Sequence, residues 1–172
     1  MQKRFYVDTS VWRDYFEDRG DGIRPLGEFA FQFFKYCNEN NCKVFYSDFI
    51  LIELKEFFSE EEIKILFSII KRNLLVKISA SEEQLMEANK MKKIFKEIPL
   101  YDLIHAIMAR DSNAILVSRD KHFEYLNKIV EYKLPEVKEW LKTEPLDMSE
   151  NVCVIGFRGG EYSTVPELGL PK

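Results

Sequence analysis

Apolar residues along this chain fall into two patterns, short unbroken runs and longer stretches with a 3.6-residue period. Residues 4–8, RFYVD, are an aromatic and β-branched run without polar alternation, which predicts a strand buried on both faces. DTSVW follows, and a helical stretch closes near Gly20 and Gly22. Over residues 25–40, Leu26, Phe29, Phe33, Phe34 and Cys37 keep to one helical face, closed by Asn40 and Asn41. Residues 43–46 predict a second strand, after which Ser47 or Asp48 caps a helix containing ILIEL. Ser59 with Glu62 and Ser81 with Gln84 form capping boxes that open two further amphipathic helices, one on each side of a third strand at 74–78.

Pro99 ends the second of these helices and begins another. There Leu103, Ile104, Ile107 and Met108 recur at helical spacing, Ser112 and Asn113 break the pattern, and residues 114–117, AILV, form a fourth buried strand. A helical turn at 122–126, a strand at 129–133 and a short helix at 135–141 complete an alternating β and α order, which predicts an α/β domain with a parallel sheet. After Leu141 the composition changes: Pro145, Gly156, Gly159, Gly160, Pro166, Gly169 and Pro171 crowd together. Residues 1–142 are therefore read as the domain and 143–172 as a C-terminal extension, in which NVCVIGF, RGG and EYSTV can pair as a β-hairpin.

The totals narrow the class. A chain of 172 residues, 46% hydrophobic and 31% charged, has the makings of one folded domain and excludes a disordered or fibrous protein. No run approaches the roughly 20 apolar residues of a membrane span, and a signal peptide's apolar core is missing, so a cytoplasmic protein without membrane association is expected. Cys37, Cys42 and Cys153 lack CxxC spacing, which argues against a disulfide framework or a structural zinc site. A net charge of −4 argues against a globally basic nucleic-acid binder; the densest cationic stretch is Lys90, Lys92, Lys93 and Lys96.

Four acids stand apart from the solvated ones. Asp8 and Asp120 terminate apolar strands, Asp102 lies in the first turn of an apolar helix, and Glu53 sits among aliphatic residues, where an unpaired ionised group costs several kcal/mol. The carboxyl ends of parallel strands are where ligands bind in open α/β sheets, so Asp102 and Asp120 can converge on one crevice. Converging carboxylates repel one another unless a cation neutralises them, and oxygen ligands suit Mg²⁺ or Mn²⁺.

These residues carry a resemblance. The N-terminal strand ending in DTS, the helical glutamate of SDFILIELKE, the block YDLIHAIMA and the strand ending in LVSRDKHF resemble the PIN-domain nucleases, including toxin ribonucleases of the VapC type, over about residues 3–141. The resemblance implies a three-layer α/β/α fold with a central parallel sheet in strand order 3-2-1-4-5. It implies a metal-dependent endoribonuclease with Asp8, Glu53, Asp102 and Asp120 as catalytic residues around one or two Mg²⁺ or Mn²⁺ ions. It also implies an RNA substrate, a homodimer and, for a toxin, an inhibitory antitoxin protein. In this reading Asp8 anchors or bridges the metal, Asp102 and Asp120 complete its ligands, and Glu53 binds metal or orients water. Ser10 and Ser118 are candidate hydroxyls supporting those ligands or, equally, structural turn residues. Arg13, Arg119 and Lys121, near site acids in sequence, are candidate RNA phosphate contacts. His105 and His122 are expected to be structural or solvent-exposed.

Other readings remain at this point. A stand-alone RNA-processing nuclease has the same four acids, and an inactive PIN-like RNA-binding or assembly module retains the fold. Asp8 at the end of a first strand also suits a haloacid-dehalogenase-like phosphatase, but that group's second aspartate is Ser10 here. A receiver domain lacks its adjacent acid pair, and no GxxxxGK or GxGxxG motif supports nucleotide binding.

Overall fold

The computed structural model describes residues 2–136. The 143–172 extension with its hairpin, and all of the helix expected at 135–141 beyond Glu136, lie outside the described residues. Five strands, β1 (Arg4–Val7), β2 (Lys43–Ser47), β3 (Leu75–Ile78), β4 (Ile115–Val117) and β5 (Tyr132–Lys133), form one sheet in the order β3-β2-β1-β4-β5. All four pairings are parallel, with Tyr6 opposite both Phe45 and Leu116. The fold class and strand order are those expected.

Helices fill the crossovers. Between β1 and β2 come α1 (Thr9–Phe16) and α2 (Leu26–Glu39); between β2 and β3 come α3 (Asp48–Leu54) and α4 (Glu60–Phe67). From β3 the chain passes through α5 (Glu82–Ile94) and α6 (Leu100–Asp111) to β4 on the far side of β1. Right-handed crossovers running in opposite directions put the two sets of helices on opposite faces of the sheet. That buries β1 on both sides, and Phe5, Tyr6 and Val7 have no exposed surface.

Two helices matter most for the site. Trp12 of α1 stacks on Phe34 at 4.5 Å, meets Phe67 edge-on at 4.9 Å, and donates its indole N–H to the Val7 carbonyl at 3.2 Å. This ties the start of α1 to the end of β1; losing such an aromatic costs about 3–5 kcal/mol. Helix α6 is buried at every position from 103 to 109, so Ala106, Ala109 and His105 join the predicted apolar face.

Boundaries shift for local reasons. β1 stops at Val7, because Asp8 leaves the strand to cap α1. α1 ends at Phe16, short of the glycines, and Asp18 just beyond it takes a left-handed conformation with φ 47°. Asn41 (φ 52°) and Asn113 (φ 51°) take the same conformation where chain breaks were expected. The turn expected at 122–126 is a 3-10 helix, Lys121–Leu126, and the strand expected at 129–133 shortens to β5. Both capping boxes form.

The order of the sheet reverses at β1, so the crevice outside the carboxyl ends of β1 and β4 is the topological switch point. The Asp8 amide donates to the Val117 carbonyl at 3.0 Å, bringing those two strand tips together.

Candidate metal centre

Asp8 is the N-cap of α1, and its Oδ2 accepts from the Ser10 amide at 3.2 Å, the Ser10 hydroxyl at 2.5 Å and the Ser118 hydroxyl at 2.8 Å. All three fall on one oxygen, Oδ2, of a carboxylate that lines the crevice. Ser118 Oγ also accepts from the Asp120 amide at 2.9 Å, and Ser10 Oγ from the Arg119 amide at 3.2 Å. Both serines thus hold Asp8 and the turn after β4 in one hydrogen-bonded unit.

Glu53 approaches from α3. Its neighbours are less enclosing than the aliphatic run suggests, since Ile52 faces solvent. Thr9 donates its hydroxyl to Glu53 Oε2, and His105 Nε2 stands 3.4 Å from Oε1. Burial alone pushes this carboxyl up, but the contacts from His105 and Thr9 outweigh it and hold Glu53 below the usual range. These are the partners that an acid in this setting requires.

Asp102 and Asp120 form the other half. Asp102 lies in the first turn of α6, and Asp120 caps the 3-10 helix by accepting from the His122 amide at 2.8 Å. His122 Nδ1 sits 3.0 Å from Asp102 Oδ2 and 3.0 Å from Asp120 Oδ1, bridging the two carboxylates. Burial, reinforced by the charges of Asp120 and then Asp8 and opposed by the His122 contact, pushes the Asp102 carboxyl up to about 6.

All four predicted acids line one cleft of about 420 Å³. With a neighbouring histidine each, these acids form two groups that bring three potential ligand atoms within 4.8 Å of one another: Asp8, Glu53 and His105, and Asp102, Asp120 and His122. A hard divalent cation fits this set. The donors are mainly carboxylate oxygens, they come from four separate elements, and burial together with the neighbouring acids' charge raises the Asp102 carboxyl, a penalty that a cation offsets.

Both histidines touch site carboxylates, which sequence reasoning missed. The available signal was position: His105 lies three residues after Asp102 on one helix, and His122 two residues after Asp120. Arg13 lines the cleft, as does Arg19, which the sequence did not single out. Lys121 is exposed at the start of the 3-10 helix. Arg119 lies largely buried: Asp14 binds its Nε, Glu136 binds another guanidinium nitrogen at 2.9 Å, and the Leu26 carbonyl accepts from it at 3.4 Å. Asp14 itself, a nearly fully buried acid of α1, carried no sequence signal.

No protein-family model matches this sequence, and no curated protein matches it. Solved structures do share its fold. The chain aligns with VapBC2 from Rickettsia felis bound to a DNA fragment from their promoter, with TM-score 0.56 and 15% identity, over 76% of this chain and 98% of that one. It aligns with FitAcB from Neisseria gonorrhoeae with TM-score 0.51 and 11% identity, over 76% of this chain and 97% of that one. At such identities the likeness is one of fold. The five-stranded parallel sheet in order 3-2-1-4-5, flanked by helices, is consistent with a PIN-like fold.

Proposed function

We propose that this chain is a Mg²⁺- or Mn²⁺-dependent endoribonuclease that cleaves RNA phosphodiester bonds as the toxin of a toxin–antitoxin pair. The observation that carries the reading is the convergence of Asp8, Glu53, Asp102 and Asp120 on one cleft at the switch point of the sheet. The toxin context is supported by the VapC-type resemblance of the motifs and by the shared fold with the VapBC2 and FitAcB structures. In this reading the chain works in the cytoplasm as a homodimer and is inhibited by a protein partner.

Asp8, Asp102 and Asp120 would hold the cation, which when bound activates a water nucleophile and offsets charge developing on the phosphate. The protein's own residues supply the geometry. Ser10 and Ser118 fix the rotamer of Asp8 through Oδ2, so its Oδ1 is presented without reorganisation. Glu53, kept ionised by Thr9 and His105, accepts a hydrogen bond from the attacking water and orients it. Arg13 and Arg19 on the cleft wall offset the negative charge of an approaching phosphate.

The test is cleavage of a panel of single-stranded and structured RNAs with Mg²⁺, Mn²⁺ or EDTA, using Asp8→Asn as the control. Cleavage is expected with either metal, absent with EDTA and absent in a variant that keeps the parental circular dichroism. Equal cleavage by Asp8→Asn sinks the assignment.

A further inference from the structure

We propose that Phe57 is a stacking platform for one unpaired nucleobase of the RNA, an inference that rests on the ribonuclease reading above. Phe57 follows α3 in a turn and lines the cleft together with the four acids, yet its side chain is 47% exposed. An aromatic ring so placed adds little to the core and offers a face to whatever enters the cleft.

The ring is prepared on its other side. The Arg13 guanidinium lies over it, with Cζ 3.5 Å from the ring centroid. Arg13 is itself held by both carboxylate oxygens of Glu17, at 3.1 and 3.3 Å. Behind Phe57, Phe58 stands 6.4 Å away and packs edge-on against Phe16 at 4.9 Å. Arg13 occupies one face of the ring, so the proposal puts the base on the opposite one.

Register relates this ring to the reaction centre. Thr9 of α1 grips Glu53 of α3, and four residues on in each segment Arg13 meets Phe57. The first contact joins α1 to α3 and the second joins α1 to the turn after α3, four residues further along each segment. A phosphate at the acids therefore places a neighbouring nucleotide beside Phe57, while Arg13 supplies both ring support and positive charge. Duplex bases are stacked on each other and unavailable, so this subsite selects a strand unpaired at that nucleotide. Stacking tolerates any base, because each has a π-face.

Binding and cleavage test the two readings separately. With Ca²⁺ as a non-activating cation, binding of a fluorescently labelled single-stranded RNA by the full chain is compared with Phe57→Ala, Phe57→Leu and Phe57→Trp. One aromatic–base stack corresponds to roughly 5- to 150-fold in affinity, so Phe57→Ala and Phe57→Leu should weaken binding by that factor and Phe57→Trp should restore it. With Mn²⁺, the same loss should appear in KM with kcat nearly unchanged. An abasic nucleotide at the stacked position should weaken the parent and leave Phe57→Ala unaffected. Parental binding by Phe57→Ala, full rescue by Phe57→Leu, or no RNA binding by the parent overturns the proposal. Binding with this pattern but no cleavage under any metal instead overturns the nuclease reading and leaves the stacking site standing.

Discussion

The Tyr6 hydroxyl stands 2.8 Å from His105 Nδ1, joining the central strand to α6 through two buried side chains. The same hydroxyl meets Ser47 Oγ at 2.6 Å, and Ser47 caps α3, whose Glu53 faces the other nitrogen of His105. Burial pushes the Tyr6 phenol far up, so it acts as a neutral hydrogen-bonding group throughout the working range. Tyr6→Phe deletes one oxygen and leaves Ser47 and His105 each short of a partner, so stability should fall by about 1–3 kcal/mol. Glu53 then loses part of its support, and Mn²⁺ binding should weaken. Urea denaturation reads the first effect and metal titration the second; a variant with parental values in both shows that this network does not aim Glu53.

Asp102 opposes folding when no metal is present. Its carboxyl is pushed up to about 6 by burial and by neighbouring acids, against a usual value of 3.8. A carboxyl that holds its proton more tightly when folded leaves the fold undisturbed below about pH 4, and destabilises it progressively until about pH 6 and fully above. Asp102→Asn in EDTA should therefore be more stable than the parent at pH 7.5, by on the order of 2–3 kcal/mol, with the gap closing toward pH 4. Thermal denaturation at the two pH values checks it, and a variant less stable than the parent at pH 7.5 refutes it.

A bound cation should reverse that penalty. Mn²⁺ at a hundred times its dissociation constant should stabilise the parent by about 2.7 kcal/mol, raising its unfolding temperature, and EDTA should abolish the gain. Asp102→Asn, and separately Asp120→Asn, should lose most of this response, because each removes a ligand from the same group. A rise in melting temperature of equal size in all three proteins points to a cation bound elsewhere.

The sequence made some of this arrangement legible for definite physical reasons. RFYV reads as a central strand because nothing polar interrupts it, and Asp8, Asp102 and Asp120 stand out because each ends or opens an apolar element. The order of the strands is not written in any local period and came only from the resemblance. Glu53 shows by its setting that it needs partners, but Thr9 and His105 lie 44 and 52 residues away in the chain. The early end of α1 depends on a left-handed Asp18, which residue type signals only weakly. His122 reads as a surface residue until the fold brings Asp102, 20 residues earlier, to its ring.

Arg119 provides the sharpest case of proximity in sequence against placement in space. It neighbours Asp120, yet its guanidinium is bound by Asp14 and Glu136 beneath the crevice, and burial pushes Asp14 up despite the opposing pull of Arg119 and Arg19. Arg119→Met takes its hydrogen-bonding cation from a buried carboxylate that keeps only Arg19 at 3.4 Å, and should cost about 1.5–3 kcal/mol, whereas Asp14→Leu combined with Arg119→Met removes both charges and should recover most of that loss. The double variant should also keep near-parental KM for RNA, since Arg13 and Arg19 remain on the cleft wall. Urea denaturation and cleavage kinetics on the same preparations decide the matter: a stable double variant with a raised KM makes Arg119 an RNA contact, and one with parental KM makes it the brace that holds the Asp120 turn against α1.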